Sequence, residues 1–283
     1  MGIYRQPNTW QCGPFALKYA LLSLGIFADE DDLAAIAGTS ARDGTDEVGL
    51  GRAASAFGAR LALIRRRTAR GAKRALDGWL RRGVPVLICV DQWDHWVTVV
   101  GNDGERYVLL DSQRSRSSVL AVVRWNALAS RLVYRWPRLG GLWTTRLYDL
   151  QPVVPHQIPA TRFRLTPTRA EYLMNGGAWL AGRWDEYARE LRAVVPNPSG
   201  NGALPLANVL HSARASLLGL VAAQRGAPRP AAASAVIDGA VFVADLYDVR
   251  ISSAEAEDVI ETMAPAVVRL AAVGYPAAPS AWR

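Results

Sequence analysis

Two cysteines and three histidines stand far apart in a chain of 283 residues, and their surroundings differ sharply. Cys12 lies in Trp10-Gln11-Cys12-Gly13-Pro14, where Pro14 suits the first turn of a helix because its missing N–H would have no partner there. At a helix start the backbone N–H groups and the dipole stabilise a thiolate, and a neighbouring imidazolium would add to that effect. His95 opens an apolar stretch within Trp93-Asp94-His95-Trp96-Val97, and Asp111 closes another just before Ser112. Nucleophile, base and orienting carboxylate, here Cys12, His95 and Asp111, form the set that attacks an amide carbonyl. The oxyanion of that attack needs two donors. The backbone N–H of Cys12 is one candidate, and the side-chain amide of Gln6 or of Gln11 is the other. Cys89, inside Val86-Leu87-Ile88-Cys89-Val90, reads as core. His156 sits in a Pro-rich segment and His211 beside the apolar stripe of Leu206, Val209, Leu210 and Leu217, so neither points to catalysis. No metal or cofactor is expected.

These residues need elements to bring them together. Cys12 to about Leu24 reads as a helix stopped by Gly25, followed by helices at 29–37, with Asp29 to Asp32 at the positive end of the dipole, and at 48–57. Strands are expected at 60–64, 85–91, 95–101 and 106–111, with Asp103-Gly104 turning the last two into a hairpin. A 95–111 pairing centres on that turn, so His95 and Asp111 should meet across the ladder. Helices first and a largely antiparallel sheet after them make an α+β order. Pro152, Pro155, Pro159 and Pro167 mark a junction at 150–167, dividing a domain over 1–155 from a mainly helical one over 160–283. In the latter, Thr168 and Glu171 spell a capping box, and Gly176-Gly177 spells a helix stop. Leu180, Trp184, Tyr187, Leu191 and Val194 recur as one helical stripe. Further helices are expected at 206–224 and at 253–273, the last kinked near Pro265, with 235–249 open to strand or helix.

Composition bounds the partners. Half the residues are hydrophobic, enough for real cores, and no apolar run reaches the roughly 18 residues of a membrane span. Met1 to Pro7 has no apolar core of a secretory signal, and two cysteines cannot build a disulfide framework, so the cytosol is the expected compartment. The net charge of +8 is concentrated in 1–155, above all in nine basic residues between Arg60 and Arg82. In 71–82, however, Ala72, Ala75, Leu76, Trp79 and Leu80 share one helical face, which leaves the charges on the solvated one. No aromatic residues interleave with the arginines, so nucleic acid is not expected as a partner.

Gln6-Pro-Asn-Thr-Trp-Gln-Cys12-Gly13-Pro14, with the Gln six residues before the Cys and an Ala/Leu-rich helix after it, resembles the signature of the bacteriocin-processing, double-glycine cysteine peptidases. His95-Trp96-Val97 and Asp111-Ser112 are similar to that family's His and Asp boxes. The resemblance covers about residues 1–120. It implies a papain-like fold, a peptide or protein substrate that can contain Gly-Gly, and oxyanion donation by Gln6. Two features depart from the family: Gln11 stands where members often carry Asp, and neither membrane helices nor a GxxxxGK[ST] loop accompany the peptidase-like part. The same scaffold also hosts deamidases, transglutaminases and acyltransferases, and a peptidase-like binding module using the basic patch 60–82 is the reading from another class. Gly140-Gly141 and Gly176-Gly177 raise the question of self-processing, although glycine pairs are common at turns and helix ends.

Overall fold

The computed structural model describes residues 2–113, 119–137, 144–157, 163–175, 178–198 and 204–272. Gly140-Gly141, Gly176-Gly177 and residues 158–162 of the expected junction lie outside the described residues. The chain divides into two compact units. One is built from residues within 3–159 together with Leu165–Asn175, the other chiefly from 176 onward.

In the first unit the helices come first. α1 (Cys12–Ser23) is buried along its whole length, so it has no solvated face. Even Lys18 is inside, held 2.6 Å from Glu30 and over the ring of Tyr4. α2 (Glu30–Ala37) and α3 (Glu47–Ala56) start where Asp29 and Asp46 accept backbone N–H bonds from Asp31 and Gly49. After β1 (Ala59–Leu61) and β2 (Ile64–Arg66), α4 (Ala69–Arg81) is capped by Thr68 and buries Ala72 and Leu76, with Ala75, Trp79 and Leu80 partly buried beside them. The rest of the unit is β3 (Val86–Val90), β4 (His95–Asn102), β5 (Arg106–Leu110), β6 (Leu120–Arg124), α5 (Trp125–Leu132), β7 (Tyr134–Pro137), β8 (Thr144–Pro155) and α6 (Pro167–Asn175). All strand pairs are antiparallel, in the order β1-β8-β3-β4-β5-β6, with β2 and β7 also on β8. One face of the sheet carries α1 over Leu87, Cys89 and Trp96. The other buries Ile88, Val97, Val99, Tyr107 and Leu109 under α4 and α5. The α+β order expected from the sequence is the one observed.

Several details differ. The expected strand 60–64 is two short strands, β1 and β2, both on β8. That long strand occupies the first part of what its prolines suggested was a junction. Pro152 sits opposite Val86, and its carbonyl accepts from Ala62 N at 3.2 Å. The β4–β5 register also departs from a 95–111 pairing. Asn102 faces Tyr107 and Gly101 faces Val108, but a bulge at Val100 shifts the ladder, so Val99 faces Leu109 and Thr98 faces Leu110. Carried on by one pair, this places Asp111 opposite Val97. Without the bulge Asp111 would fall opposite Thr98, on the pleat face that His95 does not share. The start of α6 is capped by Thr166, whose Oγ1 accepts from Arg169 N, rather than by a Thr168/Glu171 box. Pro167 takes the first helical position, and Glu171 instead pairs with Arg106.

Among its described residues the second unit is helical apart from one short antiparallel pair. The stripe from Leu180 to Val194 is broken at Arg183 into α7 (Ala178–Gly182) and α8 (Trp184–Val194). β9 (Leu204–Pro205) precedes α9 (Leu206–Ser212) and α10 (Arg214–Ala222), which divide the expected helix 206–224 at Ala213. The ambiguous 235–249 is mostly helix, inside α11 (Pro230–Leu246), and β10 (Arg250–Ile251) pairs with β9. A short 3-10 turn leads into α12 (Ala256–Ala272), which contains Pro265. Trp184, whose Nε1 donates to Tyr247 Oη, is the largest fully buried side chain of this unit. Among the described residues no helix is long and apolar enough to cross a membrane.

Candidate active site

Two hydrogen bonds set the helix that carries Cys12 against the strand that begins with His95. Thr98 Oγ1 donates to Ala16 O at 2.6 Å, and Ala16 lies one helical turn after Cys12. Trp96 Nε1 donates to Thr45 O at 2.9 Å, tying the same strand to the loop before α3. That loop packs against Gly13, where a Cβ would stand 2.8 Å from Thr45 Cβ. The glycine after the cysteine is therefore required by the close approach of helix and loop. Unlike α2, α3 and α4, α1 has no side-chain cap. Its first N–H groups have no acceptor within the helix itself.

His95 Nε2 and Asp111 Oδ1 are 2.7 Å apart, with Asp111 fully buried and His95 nearly so. Nε2 is thereby taken, which leaves Nδ1 for the contact between the ring and Cys12. Burial works against a charged ring, but the hydrogen bonds to Asp111 and Cys12 outweigh it, and the His95 pKa is raised to about 9. Cys12 and Cys89 are both free and almost equally buried, at 6% and 8% exposure. Burial, and next the nearby Cys12, push the Cys89 thiol up. Cys89 lies in the core between α1 and the sheet, as its apolar strand suggested.

Gln6, in the loop that leads into α1, is buried. Its backbone N–H donates to Ser112 O at 3.0 Å, its Oε1 accepts from Ser112 Oγ at 2.6 Å, and its Nε2 donates to Asn8 O at 2.7 Å. A primary amide carries two N–H bonds, so one remains after Asn8 is served. Gln11 is more exposed, and its Oε1 accepts from Asn8 Nδ2 at 2.7 Å. Asn8 itself shapes the loop, its Oδ1 accepting from the backbone N–H of Trp10 and Gln11. That turn was foreshadowed by Pro7-Asn8-Thr9, a turn-forming tripeptide. His156 and His211 are both exposed, His156 just after β8 and His211 at the end of α9.

One participant left no trace in the sequence. Arg131, on α5, directs NH1 to Asp111 Oδ2 at 3.4 Å. Twenty residues of chain separate the two, and only the fold brings them together.

No family profile matches the chain. Among curated proteins, an uncharacterized protein of Methanothermobacter thermautotrophicus is 32% identical over 117 residues, which make up 41% of this chain and 75% of that relative. An uncharacterized protein of Methanothermobacter marburgensis is 32% identical over 114 residues, 40% of this chain and 73% of its own length. The chain belongs to the same family as these two proteins. Among solved structures, a double glycine motif protease from an AMS/PCAT transporter, in complex with the leader peptide, is similar at a TM-score of 0.38 and 16% identity, over 53% of this chain and 90% of its own. The peptidase domain of Streptococcus ComA, a bi-functional ABC transporter of a quorum sensing pathway, is similar at a TM-score of 0.40 and 16% identity, over 54% of this chain and 98% of its own.

Proposed function

We propose that the chain is a cysteine peptidase that cleaves a peptide bond through Cys12, His95 and Asp111, with Gln6 as an oxyanion donor. The observation that carries this reading is the buried 2.7 Å bond between His95 Nε2 and Asp111, on a ring whose other side meets a cysteine at a helix start. Cys12 sulfur attacks the carbonyl carbon, and the tetrahedral oxyanion takes the backbone N–H of Cys12 and the second amide N–H of Gln6. With its pKa at about 9, His95 holds at neutral pH the proton that the departing amine needs. Water that gives its proton to His95 then hydrolyses the thioester and returns Cys12. Asp111 fixes the ring and stabilises its charged form. A free thiol nucleophile suits a reducing compartment, so we place the reaction in the cytosol.

Alkylation tests the nucleophile without a known substrate. Because Cys12 and Cys89 are equally buried, a difference in their rates reports chemistry rather than access. Iodoacetamide at about pH 6 should label Cys12 well before Cys89, since the thiolate is the reactive form. Equal labelling, or faster labelling of Cys89, overturns the assignment. The resemblance of residues 6–14 makes peptides with Gly-Gly before the scissile bond the first substrates to try. Mass spectrometry separates cleavage from the alternatives: new peptide termini mark a peptidase, whereas ammonia release from glutamine marks a deamidase or transglutaminase.

A further inference from the structure

The loop that delivers His95 has an unusual backbone. Asp91, Gln92 and Trp93, between β3 and β4, all have positive φ, at 56°, 64° and 67°. Three successive non-glycine residues in the left-handed region cost about 1–2 kcal/mol each, so surrounding structure must hold them there. α5 and β7 supply that hold. Asp91 N donates to Arg131 O at 2.8 Å, and Gln92 Nε2 donates to Val133 O at 3.2 Å. Gln92 Oε1 accepts from Arg135 N, and Trp93 stacks on Tyr134 with ring centres 3.8 Å apart.

Arg131 does more than anchor the backbone. Its Nε and NH2 grip the Asp91 carboxylate at 2.7–3.2 Å, while NH1 reaches Asp111 Oδ2, the oxygen that His95 does not use. We propose that Arg131 is a positioning residue of the site, one guanidinium joining the carboxylate that orients His95 to the strained loop that presents it. The inference rests on reading Cys12, His95 and Asp111 as the catalytic centre. A planar guanidinium can bridge two carboxylates in fixed geometry; an ammonium, as a point charge, cannot. By sharing Asp111, Arg131 tempers the negative charge facing the ring and keeps the acid ionised in a fully buried position. The other groups around the ring are Cys12 and Tyr19 on α1, Cys89 on β3, and Asp91 and Asp94 in the loop, with Glu47 on α3 reaching Cys89.

The test is the titration of His95, followed by NMR of the ring protons in the full chain. Three histidines give few signals, and a His95→Gln variant assigns the right one. In Arg131→Met the surroundings of the ring become more negative, so its midpoint should rise by about half a pH unit or more. Asp91→Asn removes the competing carboxylate and leaves the guanidinium to Asp111, so its midpoint should fall by a similar amount. This second variant guards against a misfolded first, since Asn accepts left-handed backbone readily and Asp91 is solvent-accessible. Arg131→Lys keeps the charge but not the bridge. Its midpoint should stay in place while kcat for peptide cleavage drops roughly tenfold at unchanged KM. Opposite shifts in the first two variants support the clamp. An unmoved midpoint in either folded variant, or undiminished kcat in Arg131→Lys, overturns it. The titration needs no turnover, so a chain that cleaves no peptide overturns the peptidase reading, while the two midpoints still decide whether Arg131 bridges Asp91 and Asp111.

Discussion

The residues proposed to carry the chemistry each have a local signature: a cysteine before Gly-Pro at a helix start, a histidine opening a strand, an aspartate closing the next. Their partners have none. Ser112 meets Gln6 across 106 residues of chain and Arg131 meets Asp111 across 20, and no local pattern announces such pairings. Two predictions belong at this scale. Gln6 could merely brace the loop, in which case Gln6→Ala lowers stability and activity together. As a donor made useful only in the transition state, its loss should cost roughly 10²–10³ in kcat with little change in KM. Cys12 alkylation should survive that substitution, because alkylation forms no oxyanion. Ser112→Ala, which loosens Gln6 without removing it, is the control. The second prediction concerns His95 and pH. A histidine whose folded pKa is raised stabilises the fold fully below its unfolded value near 6.5, and this contribution disappears as pH rises through about 9. Urea unfolding should therefore show His95→Gln to be more damaging at pH 6 than at pH 10, by on the order of 2 kcal/mol. A pH-independent difference would mean that folding leaves the His95 pKa unchanged, and a difference larger at pH 10 that the folded ring is held neutral.

Among the elements, helices with side-chain caps were readable almost to the residue, since Asp29 and the turn before α3 advertise their starts. The strands after 111 carry no comparable local signal. β6 and α5 follow each other without a turn signal, and β8 hides behind prolines that normally interrupt a sheet. Asp103-Gly104 marks the hairpin's turn, but nothing in Val97-Thr98-Val99-Val100 marks Val100 as the residue that bulges. The far end of the same hairpin is fixed from outside. Asp77 on α4 accepts from Asn102 Nδ2 at 2.7 Å and from Tyr107 Oη at 2.6 Å, and Lys73 donates to Gly104 O at 2.9 Å. Beside the bulge, Gly101 admits no side chain, because a Cβ there would lie 2.2 Å from Leu165 O. Backbone cannot retreat as a flexible side chain can, so Gly101→Ala should cost about 2 kcal/mol or more. Thermal unfolding checks this, with Gly104→Ala, where no atom lies within 4 Å of the added carbon, as the strained but unclashing comparison.

For the whole molecule, composition and the order of helices and strands already implied an α+β unit followed by helices. Where the first unit ends was less clear, because Pro-rich sequence looks alike in a linker and in an edge of packed structure. α6 illustrates the point: Arg106 pairs with Glu171 at 2.8 Å, and the helix belongs with the first unit although it follows the prolines. A fragment of residues 1–175 should therefore unfold at a higher temperature than one of 1–157, by several degrees. Equal melting temperatures would show that α6 adds nothing to the first unit. Part of the basic stretch 60–82 is engaged from within. Arg65 is bound to Asp149 at 2.7 Å, Lys73 to Asp77 at 2.9 Å, and Arg82 lies over the ring of Trp79.

The bulge at Val100 leaves β4 with one residue more than a regular ladder would use between the turn and His95. The hairpin thus carries slack in one direction only. A chain of this family that lost a single residue from β4 could heal the ladder and keep histidine and aspartate on a common face. A chain that gained one would have to find a second place to store it. Length variation in this hairpin is therefore asymmetric: shortening by one is absorbed by structure already present, whereas lengthening by one turns Asp111 away from His95.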